Sequence, residues 1–581
     1  MGADNDGAAR AARFGDGALL LLAFLVYAPA LGAGWIWDDA ANVTECAPVL
    51  SPGGLRAIWL EPGATQQWFP LTYTLYWLEH AAWGLRPAGF HAVTVLLHAL
   101  AAVLLARLLR RLGLGAPAAW LGAALFALHP VHVETVAWVS ETKSTLSLAC
   151  ALGSALCWTR FAGLARDGSG GEGSPGAWAA SLLLGTAAVL SKAAVVALPP
   201  ALLVVAWWRR GHVTSRDVLS LVPLLGAALV ASLAELSIEG RIVDRDGAAT
   251  GLSALQRIGI AGRAAWFYPA KLALPVGLAP VYPRWDPGGG PLPLAAAAAA
   301  AALPAALLLL RGRMGRGPAA AVLLYGGTIL PVLGLVDFAY LRYSFVADHF
   351  AYQASVPLLA LAGCGLAGAA GSLDRVRPGA GRAAAGAVLL ALGALASARV
   401  PVFRDPVRLW SETVRVHPEA WGAWARLGRE ALDRGLLEEA EGLLRKALAR
   451  EPERGAAWND LGVCLLRLGR PRDAAGAFER AVPLLPSRPE PRQGLGAALL
   501  AAGDTGRAEA AFRDALAVAP GSPVARSGLS GALARRAEAL AAEGRFSQAA
   551  ALVEEALALG PGPDAEAALR RRLEAHRRGR P

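Results

Sequence analysis

The chain is 581 residues long, 55% hydrophobic and 17% charged, with a mean hydropathy of +0.41. That composition excludes an ordinary soluble multidomain protein and implies an integral membrane one. The formal net charge of +11 would suit a nucleic-acid binder, but the arginines sit in short links between apolar runs, as cytoplasmic loops do, so charge gives no case for DNA or RNA.

In chain order, Arg10 and Arg13 precede an apolar run from about Gly17 to Ala33 with the polarity of a signal peptide; no cleavage site follows, and it reads as an uncleaved first span. A helix crossing ~30 Å of hydrocarbon takes ~20 apolar residues. Eleven stretches qualify, near 17–34, 91–109, 114–129, 144–162, 177–191, 193–208, 217–235, 292–311, 317–336, 351–371 and 382–399. The basic links 107–113, 207–216, 311–317 and 374–382 then alternate and share the cytoplasmic side with the N-terminus, which leaves the C-terminus exoplasmic. The segment 255–276 is apolar but broken by Arg257, Arg263, Lys271 and two prolines, and reads as interfacial or re-entrant.

After about residue 400 the pattern becomes amphipathic and periodic. Pro418, Pro452, Pro486 and Pro520 are 34 residues apart, and the same step carries Leu427-Gly428 to Leu461-Gly462 and Leu495-Gly496, and Trp410 to Leu444, Phe478 and Phe512. Small residues at helix crossings, a large apolar residue in the second helix and a closing proline mark tetratricopeptide repeats. Trp410 in that register implies a half repeat over 405–418, and a further unit near 532–560 is offset, because Pro561 follows Pro520 by 41 residues. The expected chain is all-α: a cytoplasmic tail 1–16, a multispan membrane domain 17–400 with its first exoplasmic loop at 34–90, a tetratricopeptide-repeat solenoid 401–565 and a basic tail 566–581.

Four polar groups of residues fall on the exoplasmic side. The first loop holds Asp38, Asp39, Trp68 and the amphipathic run LTYTLYWLEHAAWG. The two acids are either solvated loop or cap residues or, pushed to different protonation states by an apolar surface, a general base and its neighbour. The stretch 127–144 holds His129, His132, Glu134, Glu141 and Lys143; HPVH is either a metal site or a turn whose imidazoles bond backbone or phosphate. Lys192 either snorkels to the interface or neutralises an anion. Arg342, Asp348 and His349 in YLRYSFVADHF, with Arg263, Lys271 and Arg284, add cations to the same face. Cations gathered there suit a lipid-linked phosphate. Phosphate loop, nucleophile elbow, HExxH and dinucleotide fingerprint are missing. The five scattered cysteines imply neither a disulfide framework nor a zinc site.

With WDD at 37–39, HPVHVETVAWVSETK, PVLGL at 331–335 and the C-terminal repeats, the sequence resembles the transmembrane and tetratricopeptide-repeat containing (TMTC) proteins and their bacterial relatives. The resemblance implies a GT-C type glycosyltransferase, similar to protein O-mannosyltransferases, that uses a polyprenyl-phosphate sugar and places its catalytic acids at Asp38 and Asp39. It implies donor-phosphate contacts from Lys143, Lys192, Arg342 and His349, and donor or acceptor contacts from His129, His132, Glu134, Glu141 and Trp68. No cofactor is called for; a divalent metal is compatible but not required. The repeats would bind the protein acceptor, in the periplasm of a bacterial inner-membrane protein or the lumen of an endoplasmic-reticulum one. The sequence departs from the family pattern at Phe69, Thr142, Ser144, Ala193 and His349, where that pattern has His, Arg, Asp, Pro and Arg. The competing expectation is a non-catalytic, membrane-anchored scaffold.

Overall fold

A computed structural model describes residues 2–164, 173–245, 250–288, 290–560 and 562–580. Met1, Pro561 and Pro581, used in the boundaries and register above, lie outside the described residues, as does the side chain of Arg10. The described residues contain helices and no strand. The chain divides into two compact units, one formed by Met1–Val243 with Ala248–His417 and the other centred on Pro418–Pro581. The helix Pro406–Val416, with Trp410, therefore belongs to the first unit and not to the repeats.

All eleven apolar stretches of the first unit are helical, but they are not equivalent. Seven are long and apolar enough to cross a membrane: Arg13–Gly32, Pro87–Arg111, Ala193–Arg210, Ser215–Arg241, Leu292–Leu309, Asp348–Val376 and Ala380–Phe403. Ala116–Leu128 and Pro130–Ala137 make an eighth only as a pair bent by 47°, and Pro175–Ser191 and Gly317–Val332 are shorter. The helix Thr142–Phe161 is long enough, but it buries Thr142, Ser144, Thr145, Ser147 and Ser154 and is too polar by composition. The segment read as interfacial is the helix Ala254–Ala273, started by a capping box of Ser253 and Gln256 and interrupted by Pro269.

These helices are apolar outside and partly polar inside. Leu219, Val222, Leu229, Val230 and Leu233 are exposed along Ser215–Arg241, which suits lipid. Inside, Thr94 and Thr142 hydroxyls bond at 2.6 Å, His98 Nδ1 meets the Tyr352 hydroxyl at 2.8 Å, and Trp158 donates to Ser220 Oγ at 3.1 Å. Small residues allow the closest approach: a Cβ on Gly363 would stand 2.4 Å from the Gly122 nitrogen. Arg107 and Arg110 bind Asp16 at 2.8 and 2.9 Å, and Arg316 reaches the carbonyls of Trp207 and Trp208 at 3.3 Å.

The amphipathic run of the first loop is the helix Pro70–Trp83, whose buried face carries Thr72, Tyr76 and Glu79. Glu79 is 2% exposed and neither of its carboxyl oxygens has a hydrogen-bond partner. Burial pushes its carboxyl up to about 9. A folded value above the unfolded one gives stability that is full below the unfolded value and is lost as pH rises toward 9. Glu79→Gln is therefore expected to raise the Tm at pH 8 by about 5 °C and flatten its fall above pH 5. Thermal unfolding in detergent reads this, and an unchanged profile would contradict it.

In the second unit, helix pairs follow the sequence register: Trp421–Asp433 with Leu437–Arg450, Gly455–Arg467 with Pro471–Leu484, and Glu490–Ala502 with Thr505–Val518. The glycine of each pair sits on the large residue of its partner helix. A Cβ on Gly428 would lie 2.7 Å from Leu444, one on Gly462 2.7 Å from the Phe478 ring, and one on Gly496 2.8 Å from the Phe512 ring. The fourth pair explains the displaced proline. Its first helix, Pro523–Ala542, has 20 residues where the preceding one, Glu490–Ala502, has 13, and the seven extra residues equal the excess of the 41-residue step over 34. In that shifted register Ala549, Val553 and Ala556 are buried where Ala508, Phe512 and Ala515 are in the pair before.

Two alanine substitutions should move in opposite directions. Gly462→Ala is expected to cost ~1–3 kcal/mol against the Phe478 ring. Gly476→Ala, which meets nothing within 4 Å inside Pro471–Leu484, should gain ~0.5–1 kcal/mol from helix propensity. Denaturant midpoints of the two variants check the pair.

Candidate functional site

The site starts from one backbone angle. Trp37 has φ +45°, the only positive φ at a non-glycine among the described residues. A bulky side chain holds that conformation only where its surroundings fix it. Here the Trp37 ring stacks on Trp138 at 5.1 Å and meets the edges of Trp410 at 4.8 Å and Tyr343 at 6.0 Å. Gly34 N–H donates to the Arg404 carbonyl at 2.9 Å, tying the same loop to the segment before Trp410.

That turn gives the two acids different fates. Asp39 is fully buried; Oδ2 accepts the Ile36 N–H at 2.9 Å, and Oδ1 accepts the Ser140 N–H at 2.8 Å and the Ser140 hydroxyl at 2.6 Å. Burial lifts its carboxyl to about 7 against those three hydrogen bonds. Asp38 is half-buried. Asn42 fixes its backbone: Nδ2 donates to the Asp38 carbonyl at 2.9 Å and to Ser140 Oγ at 3.2 Å, while Oδ1 accepts the Tyr73 hydroxyl at 2.5 Å.

The turn that holds Asp39 continues into a charged cluster. Glu141 is buried and pairs with Lys143 at 3.3 Å and Lys192 at 3.4 Å. Lys192 donates to Ser144 Oγ at 2.6 Å, Ser144 donates to Glu141, and Lys143 donates to Gln67 Oε1 at 3.0 Å. Burial opposes the charge of Glu141, but Lys192 and then Lys143 outweigh it and hold its carboxyl well below the usual range. One carboxylate and two ammonium groups leave one surplus positive charge. Arg342 lies 4.8 Å over the Tyr343 ring, on the aromatic wall around Trp37.

Glu134 and His349, which approach from the helix Val133–Ala137 and the turn Asp348–Phe350, meet at 2.8 Å through Oε1 and Nδ1. The Trp138 and Tyr340 rings flank His349 edge-on at 5.7 and 5.5 Å. Asp348 faces away, accepting the Tyr282 hydroxyl at 2.6 Å and lying 3.4 Å from Arg399.

Three predicted residues are held otherwise. His129 bonds the Leu272 carbonyl through Nε2 at 2.9 Å and accepts the Val131 N–H on Nδ1 at 3.3 Å. His132 bonds the Phe126 carbonyl and Ser355 Oγ at 2.8 and 2.9 Å. Both rings have both nitrogens engaged, so of the two readings of HPVH the geometry is that of a capped turn. The Trp68 ring packs with Val189, Ala228 and Ala231, away from the acids, and the Trp68 backbone N–H donates to Glu235 Oε2 at 2.9 Å. Of the other cations, Arg263 covers Trp285 at 4.4 Å and Arg284 covers Phe345 at 5.0 Å. Among the described residues no three His, Cys, Asp or Glu side chains are grouped to hold a metal ion.

Tetratricopeptide-repeat families match residues 425–489 and 499–573. Protein O-mannosyl-transferase Tmtc2 of Drosophila melanogaster is 31% identical over 234 residues, 37% of this chain and 24% of its own. Over that stretch the chain is similar to a TMTC protein. Tmtc1 of the same organism is 33% identical over 151 residues, 24% of this chain and 17% of its own, and TMTC4 of Homo sapiens is 28% identical over 197 residues, 29% and 26%. The TMTC-like match thus spans about a quarter or less of each curated relative. Neutral residues complete the site: Asn42, Gln67 and Ser140 carry no charge pattern, and of the three only Asn42, inside the glycosylation-like Asn42-Val43-Thr44, has a sequence signal at all.

Proposed function

We propose that the chain is a membrane glycosyltransferase moving a sugar, mannose first, from a polyprenyl phosphate to Ser or Thr hydroxyls of exoplasmic proteins. The observation that carries the reading is the division of labour at WDD: Asp39 is buried and fully bonded, and Asp38 beside it is half-buried on a strained turn. The printed names of the relatives support the same reaction class. Asp38 takes the proton of the acceptor hydroxyl as its oxygen attacks the anomeric carbon. The polyprenyl phosphate leaves from the opposite side, so the centre inverts. Lys143, Lys192, Arg342 and His349 balance the phosphate charge, a contribution worth ~10²–10³ per well-placed donor. Asp39 keeps the loop folded. The repeats hold the protein acceptor near the site and raise its local concentration. They lie in the periplasm or the endoplasmic-reticulum lumen, according to the cell.

One observation favours the scaffold instead: Glu141 already neutralises one of the two lysines that a phosphate would need. Incubating the purified protein with radiolabelled polyprenyl-phosphate mannose and membrane proteins decides between them. Label in protein supports the enzyme; none with mannose or other polyprenyl-phosphate sugars supports the scaffold.

A further inference from the structure

Among the described residues, His349 is the only histidine paired with a carboxylate. His91, His98, His129, His132, His417 and His576 all bond backbone carbonyls instead. The Glu134–His349 pair is buried, with side-chain exposures of 1% and 6%. Nδ1 is committed to Glu134, and Nε2 makes no hydrogen bond among the described residues. Glu134 Oε2 is buried without a partner. The remaining charges that act on His349 are Glu141, Lys192 and Lys143, the cluster at the foot of the WDD loop; Asp348 on its own turn is taken up by Tyr282 and Arg399, and Tyr340 flanks the ring.

Proton counting gives this pair two states of opposite character. With two protons it is either carboxylate with imidazolium or carboxylic acid with imidazole, and in both forms Nε2–H is a donor. With one proton, Nδ1–H donates to the Glu134 carboxylate and Nε2 becomes an acceptor, which repels an anion.

We infer that the Glu134–His349 pair is the proton donor to the phosphate leaving group, His349 Nε2 meeting the phosphate and Glu134 positioning the ring. This rests on the glycosyltransferase reading. As the bond from the anomeric carbon to the phosphate oxygen breaks, its electron pair goes to that oxygen and the Nε2 proton follows. The acceptor oxygen forms the new bond and its proton goes to Asp38. The pair is left with one proton and regains the second from water after the lipid phosphate departs. Each turnover thus moves one proton onto Asp38 and one off His349.

The test uses the full chain in detergent and methyl farnesyl phosphate, a diester whose single charge stays fixed while the pair titrates. Binding by the wild type is expected to weaken about tenfold as the pair loses its second proton with rising pH, the worth of a hydrogen bond to a charged group. His349→Arg, a permanent cation, should bind with no such decline. Glu134→Gln should move the decline to lower pH. Sugar transfer by the wild type should lose rate along the same curve, and His349→Arg should lose the alkaline limb. A wild type whose affinity is flat with pH, or a decline that persists in His349→Arg, overturns the inference. The two failures separate: absence of transfer at every pH counts against the glycosyltransferase reading, whereas the diester titration judges the pair without turnover.

Discussion

Asp38→Asn is expected to reduce sugar transfer about 10²–10⁴-fold at an unchanged protein level, and Asp39→Asn to lower the protein level itself. A general base contributes ~10²–10⁴, and Asp38 is half-buried, so an amide costs the fold little. Asp39 is the opposite case. Both its oxygens receive hydrogens, from Ile36 and from the backbone and hydroxyl of Ser140. An asparagine presents an NH₂ to one of those donors, and a buried donor left facing a donor costs ~1–3 kcal/mol. Either the bond from Ile36 or the bonds from Ser140 are then lost. Fluorescence-detected gel filtration reads the level and a radiolabel assay at equal protein reads transfer. A well-folded, inactive Asp39→Asn beside an active Asp38→Asn would exchange the two roles.

Glu141→Gln should unsettle the membrane unit by about 3 kcal/mol, since removing one partner of a buried ion pair leaves the other uncompensated. Lys192 is the residue left exposed to that cost; its side chain is 14% exposed, and burial already pulls its ammonium below the usual range. The pH dependence has a fixed sign. The Glu141 carboxyl is depressed, so its stabilisation is present above the unfolded value near 4.5 and is lost as pH falls. The variant loses that acid limb. It also frees two cations, so farnesyl phosphate should raise the Tm of Glu141→Gln more than that of the wild type. Equal shifts would remove Lys143 and Lys192 from any phosphate site.

Much of this architecture is legible from residue spacing. The 34-residue step brings Gly428 onto Leu444 and Gly462 onto Phe478 because both partners recur in register. Hydropathy finds the helices of the membrane unit, yet it overstates how many cross unaided: at His129-Pro130 a single apolar stretch bends by 47°, and Thr142–Phe161 hides a polar inner face. Trp410 fits the repeat register, but its ring packs on Trp37, and no periodicity encodes a contact across so much chain. The charged residues of the site are visible because charge is rare in such a sequence. Asn42, Gln67 and Ser140 are not, since a neutral side chain announces itself only through the partner it reaches. For the same reason the sequence leaves Asp38 and Asp39 equivalent, and their different burial separates them.

The cage around Trp37 also has a place in time. Its walls come from residues 138, 340, 343 and 410, the last lying 373 positions beyond Trp37. A ribosome adding ~5–20 residues per second needs roughly 20–75 s to cover that distance. During that interval nothing from the later segments compensates the unfavourable Trp37 backbone, and the acid pair has no fixed aim. The earliest part of the candidate site to be synthesised is thus among the last to be set, and its geometry in a nascent chain waits on the helix bearing Trp410.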